Sequence, residues 1–492
     1  MLTRDAPATS PLIFVYVLAR LQQSVPRFFN SAHVETFCFL AIASSVTFSP
    51  IKDPSRATAT VAIGPVRGRN KESRRGSWTR QASAMSNRET ATVPLTPDFY
   101  HYRDAPIDSL KQDAEGLWVI WSDKRMRCHR FWLRENTMGH GGIDPATREG
   151  IMDPAELSDA MRIAAFELTD SGDLRVTWAS EGEEEPVVST YHSGWLRHIA
   201  DGQHLPQSWV PAPEPWDAST LSAPPRRNAD AVLKDDDALC AMLNDLLRWG
   251  VCVVEQAPTE PGFLNQLAAR IGPVRDSNFG PLWDVKADVN LAGDAKTNTT
   301  ANTGFRLGPH TDLPTREIPP GFQFLHCLIN EADGGESTLT DGAALIEEFK
   351  RTRPDDYEIL STRRWVFFNR GPGIDHRFSA PVIDPLGGEG VPTIRAFYPV
   401  RAFPDMPDAD VGPAYAALRR FHALADDPQF ELTFRLGPGD IMCFDNRRVM
   451  HGRKAFSGSG QRHLQGIYID RDEILSTARA VNRACARDKH VQ

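Results

Sequence analysis

Between Val251 and Asp470 the chain is written mostly in strand-length apolar runs: VCVVE, FQFLHCLI, STLTD, RWVFF, TIRAFYP, ELTFRL, DIMCFD and HLQGIYID. Gly, Pro, Asp and Asn clusters punctuate them, with helical interruptions expected at Ala343 to Arg351 and Gly412 to Leu424. Strands that follow strands lack the crossover helices of a parallel sheet, so the pattern predicts a β-sandwich or barrel with a few flanking helices. Neither G-x-G-x-x-G nor G-x-x-x-x-G-K-[ST] occurs, which leaves nucleotide-phosphate chemistry without support.

The chain around this block divides by composition. Residues 1–84 carry eleven Lys/Arg against four Asp/Glu, whereas the remaining 408 residues carry 44 against 60. The apolar runs at Leu12–Leu18 and Phe37–Val46 fall short of the roughly 20 residues a spanning helix needs. Residues 1–84 are therefore expected to be a leader, disordered or outside the working protein, with Met85 a candidate start. Residues 85–205, with LWVIW, LRVTW and VVSTYH, predict a small β-rich N-terminal domain. A proline-rich linker is expected over 206–230, the catalytic domain over 231–480 and a tail over 481–492. Within the catalytic domain Val232, Leu239, Met242, Leu243, Leu246 and Leu247 keep helical spacing up to a Gly250 cap.

Net charge is -9, which argues against nucleic-acid or anionic-membrane partners because those call for a basic face. The seven cysteines (38, 128, 240, 252, 327, 443, 485) are scattered and include no C-x-x-C pair. That usage fits a reduced, cytoplasmic protein.

The chemistry is concentrated in LGPHTDLPTREIPPG. In H-x-D two side chains two apart on extended backbone point to one face, so His310 and Asp312 can bind one ion. By itself H-x-D is more often a loop or a helix cap than a metal site. A third ligand is available in His451, in FDNRRVMHGR just beyond another strand run. Two His and one carboxylate leave open positions on an octahedral ion, the arrangement of non-haem Fe(II) oxygenases. Arg462, eleven residues further on, is either a surface arginine beside a Gly/Ser turn or a bidentate partner for a dicarboxylate.

HTDLPTREIPPGFQFLHCL, GGESTLTDG, PGDIMCFDNRRVMHGR and RHLQGIYID together resemble the γ-butyrobetaine and trimethyllysine hydroxylases, Fe(II)/2-oxoglutarate oxygenases related to taurine dioxygenase. The likeness spans roughly Tyr100 to Asp472 and is nearest to the bacterial γ-butyrobetaine branch. It implies a double-stranded β-helix (jelly roll), Fe(II) held by His310, Asp312 and His451, and 2-oxoglutarate held by Arg462 with Ser337 beside it. It also implies O2 as cosubstrate, ascorbate as reductant and a homodimer. Phe279, Trp283 and Tyr468 match the family's aromatic cage for a trimethylammonium group, which is held by cation–π attraction because it has no N–H to donate.

Three departures from the family pattern stand out. Asn302 occupies a cage position that is usually Tyr, and Tyr398 stands where the family tends to place an Asn near the substrate carboxylate. With Arg306 and Arg401 nearby in sequence, these changes raise a trimethylaminoalkyl phosphonate as an alternative substrate, alongside trimethyllysine. The segment FWLRENTMGHGG lacks the cysteines with which family members often hold a structural zinc. No zinc is therefore expected in the N-terminal domain, and His129 and His140 are expected to be solvated. A binding module that kept the barrel and lost turnover is the non-enzymatic alternative.

Overall fold

The computed structural model describes residues 95–179, 186–287, 300–371, 373–385, 391–396, 401–457 and 460–488. The expected leader and Tyr398 lie outside them. Thr90–Gln492 forms one compact unit.

Eight strands make the centre: β1 (Trp283–Ala287), β2 (Leu307–His310), β3 (Phe322–Asn330), β4 (Ser337–Asp341), β5 (Glu431–Phe434), β6 (Ile441–Asp445), β7 (Val449–Arg453) and β8 (Arg462–Ile469). Their antiparallel pairings are nested: β1 with β8, β2 with β7, β3 with β6 and β4 with β5. Such nesting folds one long hairpin over itself, and pairing of β3 with β8 and of β4 with β7 divides it into two sheets. One has the order β2-β7-β4-β5; the other runs β6-β3-β8-β1 and is extended beyond β6 by Val251–Glu255 and Arg226–Asn228.

The larger sheet is covered on both faces, which is why its strands read as nearly unbroken apolar runs. Phe322, Phe324, Ile441, Cys443, Ile467 and Ile469 point outward into a core shared with helices α1 (Asp236–Trp249), α2 (Leu264–Ile271) and α5 (Arg471–Asp488). The alternate residues Leu325, Met442, Phe444 and Leu464 point inward. Between β4 and β5 the chain inserts α3 (Gly342–Thr352), a three-stranded sheet and α4 (Asp408–Ala425), which pack on one another around Trp365, Phe367 and Phe421.

Some expectations change in detail. The single helix read from Val232 to Leu247 is two helices, because Asp235 is extended (φ -119°, ψ 128°) and its carboxylate caps α1 by accepting from Asp237 N–H. The KDDD stretch thus supplies an N-cap rather than a helix interior. Gly250 closes α1 at φ 73°, as its position predicts. α5 runs past 480 to Asp488 with Val481 and Cys485 buried, so no boundary falls at 481. Trp216, in the proline-rich stretch, is also buried, and its backbone N–H donates to Asp341 Oδ2 (2.9 Å). Farther upstream, two three-stranded antiparallel sheets share a core around Leu117, Val119, Trp178 and Trp195. In that region His140 is exposed, while His129 caps a short helix by accepting from Phe131 N–H.

One buried ion pair joins these parts. Arg448 and Asp341 are both almost wholly buried and meet through two hydrogen bonds of 2.8 Å. Arg448 also donates to Arg248 O and Glu214 O, while Asp341 caps α3 through Ala343 N–H. Replacing Arg448 with Met strands the Asp341 carboxylate in the core and should cost about 3–5 kcal/mol. Urea unfolding of the variant beside the parent measures it, and a loss below about 1 kcal/mol would rule out the pair as a principal tie.

Candidate active site

β2 and β7 place His310 directly opposite His451. The two rings lie 4.2 Å apart between centroids and both are buried. Asp312 follows just past the end of β2. Its Oδ1 stands 3.7 Å from His310 Nε2 and 3.8 Å from His451 Nε2. Those separations are too long for hydrogen bonds, yet the three donor atoms converge within 4.8 Å of one another. Among the described residues this is the one His/Cys/Asp/Glu group arranged to hold a metal ion. Burial, reinforced by neighbouring His310, pushes His451 down to about 3, which keeps its imidazole neutral and able to donate a lone pair.

The chain shapes this corner by giving adjacent residues opposite tasks. Thr311, between the two candidate ligands, turns its hydroxyl the other way, donating to Ile394 O and accepting from Ala396 N–H (3.1 Å each). Leu313 then adopts φ 52°, uncommon for a leucine, and the backbone turns sharply away. Asn446 spans the gap by accepting from Asp312 N–H (2.7 Å) and donating to Asp312 O and Pro320 O. The orientation of the carboxylate is set by Tyr468, whose hydroxyl donates to Asp312 Oδ2 (2.8 Å). Burial first, and the Asp312 charge after it, raise the Tyr468 pKa well above its usual value and keep it a donor. His310 Nδ1 lies 2.8 Å from Gly308 O, which leaves Nε2 free to face the ion.

The same cavity holds a cationic end. It is lined by His310, Asp312 and His451 at one side and by Ser337, Arg453 and Arg462 at the other. Arg462 opens β8 and is buried, with no carboxylate within ion-pair distance among the described residues; its Nε has no partner. Burial pushes its pKa down to about 10. A buried guanidinium without a counter-ion favours an anion, and a planar carboxylate fits its fork. Ser337, on β4, lines this end of the cavity.

Trp283 also lines the cavity and has two aromatic neighbours that are not among the lining residues. Trp283 lies 5.4 Å from Tyr468 and 6.4 Å from Phe279, ring centre to ring centre. Its indole covers Gly466, where an added Cβ would meet the ring at 2.3 Å. Phe279 is 44% exposed. Asn302 sits in a short helical turn with Oδ1 buried and unpartnered, but its neighbour Ala301 is the residue that lines the cavity. Arg306 is engaged with Asp426 at 2.5 Å, which removes the support it lent to a phosphonate.

Asn446 and Arg453 also serve this site, although the sequence pattern assigns them no role. The i, i+2 rule that joins His310 to Asp312 also puts Arg453 on the face of His451. Asn446 had no such signal, because its partners are backbone groups from a distant loop.

Inward-facing antiparallel sheets around a two-histidine, one-carboxylate donor set, with a buried arginine beside it, define the class of iron- and 2-oxoglutarate-dependent dioxygenases. The family model "Taurine catabolism dioxygenase TauD, TfdA family" matches residues 212–468. Gamma-butyrobetaine dioxygenase of Pseudomonas sp. (strain AK-1) is 39% identical, over 77% of this chain and 97% of its own length. The human protein of that name is 27% identical over 75% and 95%, and mitochondrial trimethyllysine dioxygenase of Bos taurus is 28% identical over 82% and 94%. A solved asparagine oxygenase with Fe(II), hydroxyasparagine and succinate aligns over 49% of this chain and 82% of its own, at 19% identity and TM-score 0.37. The chain belongs to the TauD, TfdA family. It is a 2-oxoglutarate-dependent dioxygenase using Fe(II), 2-oxoglutarate and O2.

Two variants test the geometry. Asp312→Ala should lower Mn(II) affinity at least about 100-fold while the melting temperature holds, as measured by calorimetry and thermal unfolding. Gly466→Ala should fold but displace Trp283, seen as a shift in tryptophan emission and weaker substrate binding. An unchanged emission spectrum would show that the indole does not rest on Gly466.

Proposed function

We propose that this enzyme hydroxylates an aliphatic carbon of a small trimethylammonium substrate, with γ-butyrobetaine the first candidate and the reaction of the carnitine-forming type. The observation that carries the reading is the aromatic corner of Phe279, Trp283 and Tyr468, contiguous with Asp312 through the Tyr468 hydroxyl. Aromatic faces select a cation that has no N–H to donate, each face contributing about 0.5–2 kcal/mol. The relatives named for γ-butyrobetaine and trimethyllysine point to the same substrate class. Trimethyllysine is the second candidate. No described contact favours the phosphonate.

In this proposal His310, Asp312 and His451 hold Fe(II), while Arg462 and Ser337 hold the far carboxylate of 2-oxoglutarate. With iron and O2 bound, the centre supplies the oxidant that inserts one oxygen atom into a C–H bond as 2-oxoglutarate is decarboxylated to succinate. The remaining tasks fall to the chain. Phe279, Trp283 and Tyr468 orient the cation, and Asn302 and Tyr398 are the candidates from the family pattern for contact with the rest of the substrate. Leu325, Met442 and Leu464 keep the cavity wall apolar and limit the water around the reacting carbon.

The nested strand pairing supports reading the two sheets as a double-stranded β-helix, with 85–205 an N-terminal domain; the strand Arg226–Asn228 and helix α5, which ends at Asp488, carry the catalytic domain past the expected 231–480 at both ends. Ascorbate as reductant, a homodimer and a cytoplasmic location complete the proposal. No helix among the described residues is long and apolar enough to cross a membrane.

Succinate release from γ-butyrobetaine, trimethyllysine and 2-(trimethylamino)ethylphosphonate, assayed in parallel, tests the substrate. Coupling should be strongest with γ-butyrobetaine, and equal use of the corresponding primary amine would remove the cage. Arg462→Ala should raise the KM for 2-oxoglutarate at least about 30-fold, the loss of a charged hydrogen-bonded pair, with a smaller change for the amine. Equal shifts in both would reassign Arg462.

A further inference from the structure

Arg453 is a second buried guanidinium in the cavity, and no carboxylate pairs with it among the described residues. It lies two residues after His451 on β7, so both side chains share one face. Its two terminal nitrogens donate to three consecutive alternate carbonyls: Ala301 O at 3.0 Å, Thr303 O at 2.5 Å and Phe305 O at 2.8 Å. The segment so held contains Asn302 and leads directly into β2. Arg453 and Arg462 also face one aromatic ring, that of Phe456, at 4.6 and 5.8 Å. Phe456 N–H in turn donates to Gly304 O (3.1 Å), in the middle of the same segment.

These contacts make a continuous path from the cationic end of the cavity to the 301–305 segment. Two like charges around one buried ring repel each other in the low local dielectric. An anion on Arg462 offsets that repulsion, so that Arg453 settles against Phe456 and the three carbonyls it holds. We propose that Arg453 is a positioning residue that couples the 2-oxoglutarate pocket to the 301–305 segment, so that cosubstrate binding tightens the wall on which Asn302 sits and raises affinity for the amine substrate. The proposal rests on Arg462 as the 2-oxoglutarate anchor.

The test uses the full chain with Mn(II) under nitrogen, so that nothing turns over. Calorimetry reads 2-oxoglutarate affinity, and amide exchange with mass spectrometry reads the peptide covering residues 300–306 in the same samples. In the parent protein 2-oxoglutarate should slow exchange in that peptide at least about five-fold, the lower end of ordinary site-to-site coupling. Arg453→Met should still bind 2-oxoglutarate but show no slowing. Arg453→Lys keeps the charge but cannot span three carbonyls, and should recover part of the slowing. In turnover, Arg453→Met should raise the KM of the amine at least about five-fold with kcat nearly unchanged, a split that general loss of structure does not produce. A parent protein that binds 2-oxoglutarate while the 300–306 peptide exchanges as before overturns the coupling and leaves the cosubstrate site standing. Failure to bind 2-oxoglutarate at all overturns both.

Discussion

Everything at this site depends on the pairing of β2 with β7, which sets His310 opposite His451 across a single ladder step. The two histidines are 141 positions apart in the chain, and neither strand holds the other by local sequence. Their register is secured from outside the pair. β7 is also hydrogen-bonded to β4, and the turn leading into β7 is anchored by the buried contact of Arg448 with Asp341 at the end of β4. Slipping that register by one residue would turn His451 out of the cavity and bring Met450 in.

A second constraint is the economy with which the H-T-D tripeptide is used. His310 and Asp312 face the cavity because extended backbone alternates, and Thr311 faces away to grip residues 394 and 396. Beyond it the backbone would drift were Asn446 not bonded to both the N–H and the carbonyl of Asp312. Arg395 continues the restraint by donating to the carbonyls of Pro314, Arg316 and Glu317. Arg453 treats the segment on the other side of β2 in the same manner. Two buried arginines that bind backbone rather than carboxylates thus hold both approaches to the candidate metal strand.

Much of this was legible beforehand. The β-branched and aromatic runs located β3, β4, β6 and β8, because strand-length apolar segments between turn residues have few alternatives. His310, Asp312, His451 and Arg462 were legible as a spacing pattern and a family likeness, and the fold brings all four to one cavity. What misled was local. The helical spacing from Val232 to Leu247 predicts one helix, but Asp235 is extended and caps α1. A polar C-terminal stretch was read as tail, when one apolar stripe along it is buried against the core.

The sequence by itself determined the chemistry available: which residues can ligate a metal, which can bind an anion, and the alternation that sends His310 and Asp312 the same way. Those are properties of side-chain type and backbone period, and they need no partner strand. Only the tertiary structure decided that Trp283 rests against Gly466 beside Tyr468, that Arg306 is spent on Asp426, and that Arg453 grips three carbonyls near Arg462. Each depends on contacts between segments distant in the chain, where burial removes water as the competing partner and leaves geometry to choose who pairs with whom.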